Sequence, residues 1–234
     1  MKCSAETGYV FLAAAFALVP DIVHICFAAQ LSHSYSVVFV SLTACFGILQ
    51  VVLLAKVSLS NPGFLAETNP FQASVNGRSL EVTNCTTCNL PKPPRAHHCK
   101  VCNRCIQRLD HHCPWVANCI GSNNQRSFVS LLLVSEFHAA YLILTNLSAL
   151  VFLDEYPGGY FGEALLIAFG VVMFWSVAGI LFYQLYLVAT NQTTHEHRRH
   201  LYKDGNPFNK GCWHNCGDFW RMKLGYALTF PSLN

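Results

Sequence analysis

Four apolar stretches, each long enough to cross a bilayer, constrain this chain more than any other feature. They run roughly from Tyr9 to Leu31, Val37 to Val57, Phe128 to Leu153 and Phe161 to Thr190. A spanning helix takes about 20 residues. In hydrocarbon every backbone N–H and C=O must be paired within its own segment, so runs of this kind are expected to be helices. The 234 residues are 53% hydrophobic and only 12% charged, and that charged share is far below a soluble domain's. The expectation is an all-α polytopic membrane protein with four transmembrane helices. Lys2 ahead of the first run resembles a signal peptide, but the run is too long for a cleavable apolar core and Pro20 and Asp21 interrupt it.

Charge orients the spans. Arg78, Lys92, Arg95, Lys100, Arg104, Arg108 and Arg126 lie between the second and third runs. Arg198, Arg199, Lys203, Lys210, Arg221 and Lys223 follow the fourth. The connections after the first and third runs carry no lysine or arginine, and the latter holds Asp154 and Glu155. The positive-inside rule puts residues 58–127 and both termini in the cytosol. The net charge of +3 thus marks loops beside anionic lipid and no nucleic-acid surface. The division expected is helices one and two in 1–57, a cytosolic domain in 58–127, helices three and four in 128–190, and a cytosolic tail in 191–234. Residues 69–84 read as a polar linker.

Seven of the twelve cysteines fall in "CTTCNLPKPPRAHHCKVCNRCIQRLDHHCPWVANC", residues 85–119. The cytosol keeps thiols reduced, so a metal is the default reading. Structural zinc takes four thiolate or imidazole ligands, and paired Cys-x2-Cys turns with interleaved histidines suit it. Two ions need eight ligands, whereas seven cysteines and four histidines offer eleven. Three groups are spare, and spacing alone does not say which.

The segment resembles the signature domain of the DHHC protein S-acyltransferases, the palmitoyltransferases. The matching residues are Cys85-x2-Cys88, Pro94-Arg95-x2-His98-Cys99-x2-Cys102-x2-Cys105, Asp110-His111-His112-Cys113-Pro114-Trp115, Asn118-Cys119, Gly121, Asn124 and Phe128. Thr193-Thr194-His195-Glu196 is similar to the family's Thr-Thr-x-Glu motif, and Asn206, Pro207, Phe208 and Asn215 to its Asn-Pro-aromatic motif. Asn61-Pro62-Gly63 stands where the family has Asp-Pro-Gly. The resemblance implies four transmembrane helices with a small zinc-bound, β-hairpin-containing cytosolic domain. It assigns Cys85, Cys88, His98 and Cys105 to one structural Zn²⁺, and Cys99, Cys102, His112 and Cys119 to a second. Metal binding would then supply about 10–16 kcal/mol of folding energy per site.

The resemblance thus leaves Cys113 as the free thiol and His97 and His111 as the spare imidazoles. Asp110-His111-x-Cys113 then reads as a triad for acyl transfer, with Cys113 as nucleophile, His111 as general base and Asp110 orienting it. In extended backbone residues 111 and 113 share a face while His112 points the other way. The reaction implied is attack of Cys113 on a long-chain acyl-CoA, then transfer to juxtamembrane cysteines of substrate proteins. Trp115 and one face of the third helix (Phe128, Leu131, Ser135, His138 and Leu142) are expected along the acyl path, with His138 limiting chain length. CoA phosphates would draw on Lys92, Arg95, Lys100, Arg104, Arg108 or Arg126. Thr193, Thr194, Glu196 and Asn215 are expected to contact the catalytic domain without reacting. His195, His197 and His200 read as a solvated run. Asp21 and His24 read as a pair on one helix face, and 218–230 as a run along the membrane interface. Cys212 and Cys216 read as sites of palmitoylation. The ER or Golgi membrane is the expected location. A silent zinc scaffold, a RING-like module and a transporter are the rival classes. The RING order of ligands is missing, and only scattered polar residues lie in the helices.

Overall fold

A computed structural model describes residues 6–28, 33–66, 72–75, 78–152, 159–203, 205–221 and 227–229. Four long helices carry the chain: α1 (Thr7–Ala28), α2 (His33–Leu59), α3 (Gln125–Phe152) and α4 (Gly159–Ala189). All four are long and apolar enough to cross a membrane. They are apolar nearly all round, as helices facing lipid on one side and each other on the other should be. Phe11, Ile48, Phe137 and Trp175 lie on the outside and are 65–77% exposed, which only a hydrocarbon surround makes favourable. In sequence order α1 packs on α2, α2 on α3 and α3 on α4.

The spans agree with the hydropathy reading to within a few residues, and Leu31 and Leu153 lie outside the described residues. The third helix starts at Gln125, one turn before Phe128. Asn124 closes the turn ahead of it, accepting from Gly121 N at 2.9 Å and donating to Cys119 O at 2.9 Å.

Between α2 and α3 lie three short antiparallel hairpins. They pair β3 (Thr83–Cys85) with β4 (Leu90–Lys92), β5 (His97–Cys99) with β6 (Arg104–Ile106), and β7 (His111–Cys113) with β8 (Asn118–Ile120). The first two turn through Cys-x2-Cys-Asn, in which Asn89 and Asn103 take the left-handed conformation that asparagine tolerates. The third turns through a 3-10 turn at Pro114–Val116 and a left-handed Ala117. Residues 69–84 are not merely a linker. β1 (Gln72–Val75) pairs with β2 (Arg78–Leu80) and with β9 (Ala227–Thr229), and the latter lies within the run read as interfacial.

The hairpin domain is fastened to the helices by polar contacts. Asn118 donates to the carbonyls of Val57 and Ser60 at 2.9 and 2.8 Å, capping the end of α2. Asn61 accepts from Gly63 N and Phe64 N at 2.9 and 2.8 Å, so the missing family aspartate is replaced by an equivalent acceptor oxygen. Gly121 must be glycine because a Cβ there would strike Pro62 O and the Ile106 side chain.

Beyond α4, Thr193 and Glu196 form a reciprocal capping box at the start of α5 (Thr194–Arg198). Glu196 meets Arg95 in a two-pronged ion pair, Nε–Oε1 2.7 Å and Nη2–Oε2 2.8 Å, both residues buried. Arg95 also donates to the side chain and backbone of Asn191 and lies over the Phe208 ring. Removing one partner strands the other's charge, which typically costs about 3–5 kcal/mol. Arg95→Ala should therefore lower the melting temperature of the detergent-purified protein sharply. The apolar pair Arg95→Met with Glu196→Leu should recover part of the loss. Melting of Arg95→Ala at the wild-type temperature would show that the pair does not hold the tail.

Candidate active site and metal centres

The three hairpins supply two cysteine-histidine clusters, the middle hairpin contributing to both. Cys85, Cys88, His98 and Cys105 bring their donor atoms within 4.8 Å of one another, and so do Cys99, Cys102, His112 and Cys119. The sets interleave, so each cluster ties two hairpins together. In the first, His98 Nδ1 lies 3.3 Å from Cys88 Sγ and 3.7 Å from Cys85 Sγ. In the second, His112 Nδ1 is 3.4 Å from Cys102 Sγ and from Cys119 Sγ, which are 3.4 Å from each other. With Zn–S near 2.3 Å and Zn–N near 2.0 Å, the edges of a tetrahedron would be about 3.5–3.8 Å. The amides of Cys88 and Cys102 each point at the first thiol of their pair at 3.4 Å, which favours the thiolate. Donor type, number and spacing all fit zinc.

Cys113, His97 and His111 lie outside both clusters. Along β7 the alternation is as read: His112 turns toward the thiols, while His111 turns the other way. His111 Nδ1 lies 2.6 Å from Asp110 Oδ2, and its ring packs edge-on against Phe128 at 5.4 Å. Cys113 is buried in an apolar cluster with Leu54, Val116, Phe128 and Leu181, within hydrogen-bonding reach of His111. Burial opposes a charge on His111, but the hydrogen bonds from Asp110 and Cys113 outweigh it and push the imidazole up to about 9.

Asp110 is wholly buried and is surrounded by hydrogen-bond donors. Besides His111 it accepts from Thr194 N at 2.9 Å, Thr194 Oγ1 at 2.7 Å, Gln125 Nε2 at 3.0 Å and Gln184 Nε2 at 3.1 Å. Burial works against its charge, yet the bonds from His111 and Thr194 prevail and hold it below the usual carboxylate range. Sequence reasoning did not find Gln125 or Gln184. The available signal was an amide within or at the head of an otherwise apolar helix.

Thr194 and Glu196 thus contact the domain as expected. Thr193 acts through the capping box. Asn215 does not reach the domain: it donates to Ala189 O at 2.7 Å and accepts from Lys210 N, bracing α6 (Cys212–Trp220) against the end of α4. His195 is not in a solvated run, because it stacks on His97 with ring centres 3.8 Å apart. His197 lies 3.0 Å from the Tyr183 hydroxyl.

Of the cations considered for an anionic ligand, Arg95 and Arg108 are buried and engaged. Arg108 bonds Gln125 and Asn191. Arg104 lies over Phe64, and Arg126 donates to Trp220 O. Lys92 and Lys100 have no such commitment on the structure. The structure adds Arg198 and Arg199, which line a cavity of about 450 Å³ with Asp110, His111, Thr194 and His195.

A second cavity, about 120 Å³, lies among all four long helices. Ser135, His138 and Leu142 line it. Ala13 and Val177 line it too and also pack on the cluster that holds Cys113. Phe128 and Leu131 belong to that cluster, above the cavity. Trp115 is about half exposed and packs on Tyr9, outside the cavity. His138 is bonded to another helix through Nδ1, 2.7 Å from Gln50 Oε1, and its Nε2 lies 3.2 Å from Asp21 Oδ1. Asp21 and His24 do not pair with each other. His24 turns to Asn146 at 3.2 Å.

A family model described as DHHC palmitoyltransferase matches residues 79–200. The chain is similar to "Probable protein S-acyltransferase 2" of Arabidopsis thaliana, 38% identical over 158 residues, covering 60% of this chain and 36% of that protein. It is similar to "Probable protein S-acyltransferase 1" of the same plant, 39% identical over 155 residues, covering 64% and 46%. To "Palmitoyltransferase ZDHHC8" of Drosophila melanogaster it is 30% identical over 208 residues, covering 80% and 22%. The chain spans less than half the length of each of these relatives.

Metal content separates ligand from free thiol. Cys113→Ser should keep two zinc ions per chain by elemental analysis, whereas Cys102→Ser should lose metal and fold poorly, since a missing ligand forfeits much of the binding energy. Loss of about one ion from Cys113→Ser would make Cys113 a ligand.

Proposed function

The chain belongs to the DHHC palmitoyltransferase family, and we propose that it is an integral-membrane protein S-acyltransferase with Cys113 as its nucleophile. The observation that carries this is the 2.6 Å bond from Asp110 to His111 on the same strand as Cys113, above a cavity enclosed by the four helices.

Acyl transfer between thiols has little driving force, so the protein's task is to supply a thiolate and manage protons. His111 takes the proton of Cys113, and the resulting imidazolium is stabilised by the Asp110 carboxylate. The thiolate attacks the thioester carbonyl of a long-chain acyl-CoA. The C–S bond to CoA breaks, and the departing thiolate takes the proton back from His111. In the second half a substrate cysteine loses its proton to His111 and accepts the acyl group, restoring Cys113. The two zinc ions are structural: bound, they lock the hairpins that present this strand. Arg198 and Arg199, beside His111, are placed to meet CoA phosphates, along with Lys92 and Lys100. The hairpin domain and the termini face the cytosol, a reading supported by the lysine and arginine asymmetry. Substrates are proteins whose cysteines lie near the membrane surface, and the membrane is that of the ER or Golgi.

The acyl chain leaves water for the helix bundle, gaining about 0.8 kcal/mol per methylene buried. His138 lies ten residues beyond Phe128, or about 15 Å along α3 at 1.5 Å per residue. An extended chain of about sixteen carbons therefore ends at or just past it. His138, held by Gln50 and Asp21, narrows the path at that depth.

Purified protein given labelled palmitoyl-CoA should gain a label that neutral hydroxylamine removes, and Cys113→Ser should gain none. His111→Ala should slow labelling by about 10²–10⁴-fold, the usual cost of losing a general base. Normal labelling of His111→Ala would remove the triad. His138→Ala should shift the preference toward C18 over C14 donors, and His138→Trp should shift it the other way. Unchanged relative rates for C14, C16 and C18 in both active variants would show that His138 sets no limit.

A further inference from the structure

The two ring nitrogens of His112 face in different directions. Nδ1 faces the thiols of Cys99, Cys102 and Cys119 at 3.4–3.7 Å. Nε2 lies 2.7 Å from Oε2 of Glu6, a residue 106 positions earlier in the chain. A neutral imidazole carries one N–H. With Nδ1 turned to the metal-binding thiols, the hydrogen is on Nε2 and is donated to the Glu6 carboxylate. The contact is no loose surface ion pair. The two side chains are only 12% and 19% exposed, and the bond needs no charge on the histidine.

Glu6 immediately precedes α1. Three residues on, Tyr9 packs edge-on against Trp115 with ring centres 5.8 Å apart. The head of α1 therefore touches His112 and Trp115, the residues that flank the Cys113-Pro114 pair. Glu6 is tied to one cluster and not the other, because His98, the imidazole of the other cluster, is not its partner.

We propose that Glu6 is the outer-sphere carboxylate of the metal site formed by Cys99, Cys102, His112 and Cys119. Through it the first membrane helix positions the strand that carries Cys113. The inference rests on the reading of that cluster as a zinc site. A metal-bound histidine commonly gives its other N–H to a carboxylate, which fixes the ring and makes it a better ligand, and loss of that partner typically costs about 10–100-fold in metal affinity. The carboxylate here comes from outside the hairpin domain, so retention of this metal ion depends on one side chain at the head of α1. Glu6 is a positioning residue and takes no part in acyl transfer.

The test uses the full chain purified in detergent with its zinc bound. Zinc is counted by elemental analysis, and its release into a chromogenic chelator is followed over time. In Glu6→Gln one of the two equivalents should leave about 10–100-fold faster than in wild type, the other at the wild-type rate. Glu6→Asp, which keeps the carboxylate, should fall between. Tyr9→Ala loosens α1 on Trp115 without touching His112 and should leave both release rates unchanged. The proposal is overturned if both equivalents leave Glu6→Gln at wild-type rates. It is also overturned if both accelerate alike, or if Tyr9→Ala reproduces the effect, since any loosening of α1 would then suffice. Wild-type protein holding fewer than two zinc ions would instead refute the metal reading itself, and the inference with it.

Discussion

A carboxylate taken out of water organises the site. Asp110 is fully buried, and an isolated charge there would be strongly disfavoured. It is sustained by five donors drawn from four places in the chain: its neighbour His111, Gln125 at the head of α3, Gln184 inside α4, and both the amide and hydroxyl of Thr194 on α5. No one of these elements can move without exposing or orphaning the carboxylate. The orientation of His111 is thus fixed by the packing of two membrane helices and the segment that follows them. A second chain of bonds runs outward from Gln125 through Arg108 and Asn191 to Arg95 and Glu196. The buried ion pair and the Asp110 carboxylate therefore belong to one bonded network.

The hairpin domain has too few apolar residues for a core of its own. Its buried apolar cluster between hairpins is small, and four of its six members are Cys99, Cys102, Cys119 and Ile106. Two interleaved clusters able to hold metal lie where that core would be, and each draws its donor atoms from two hairpins. A metal ion bound in either would tie those two hairpins together. The arrangement also resolves the competition between adjacent residues. On a three-residue strand, alternate side chains diverge, which gives His112 to the thiols while His111 and Cys113 share the other face.

Patterns of short range were legible in the sequence. The four helices follow from hydropathy, and the density of cysteine and histidine follows from the spacing of Cys-x2-Cys turns. Which three of the eleven candidate ligands stay free did not follow from spacing; it came from the resemblance, and the clusters fall where it implied. Contacts made across the chain were not legible. β1 pairs with a strand more than 150 residues away, so its segment looked like a linker. Arg95 and Arg108 looked like surface cations because nothing local announces a buried partner at residue 191 or 196. Asp21 and His24 share one helix face, yet each found a partner on another helix. Asn215 matched a motif but braces α4, since a motif match gives no direction.

The polar groups inside the bundle follow the same logic as Asp110, at lower energy. Gln50 of α2 holds His138 and Ser135 of α3 at once, and His138 also meets Asp21 of α1. Hydrogen bonds between membrane helices average about 0.6 kcal/mol each, so this chain adds little to stability. Its consequence is shape. Three helices are pinned in register at one depth, and Gly47 leaves the space on α2 that the Asp21 carboxylate occupies. An apolar wall there could relax around whatever filled the cavity. A wall in which Gln50 bonds both His138 and Ser135 resists displacement, because moving one leaves another unpaired in hydrocarbon. The helix contacts therefore fix one stretch of the cavity wall, while the hairpin domain fixes the thiol beyond the cavity's near end. The distance between the two is set by α3, which runs unbroken from Gln125, the ligand of Asp110, past His138.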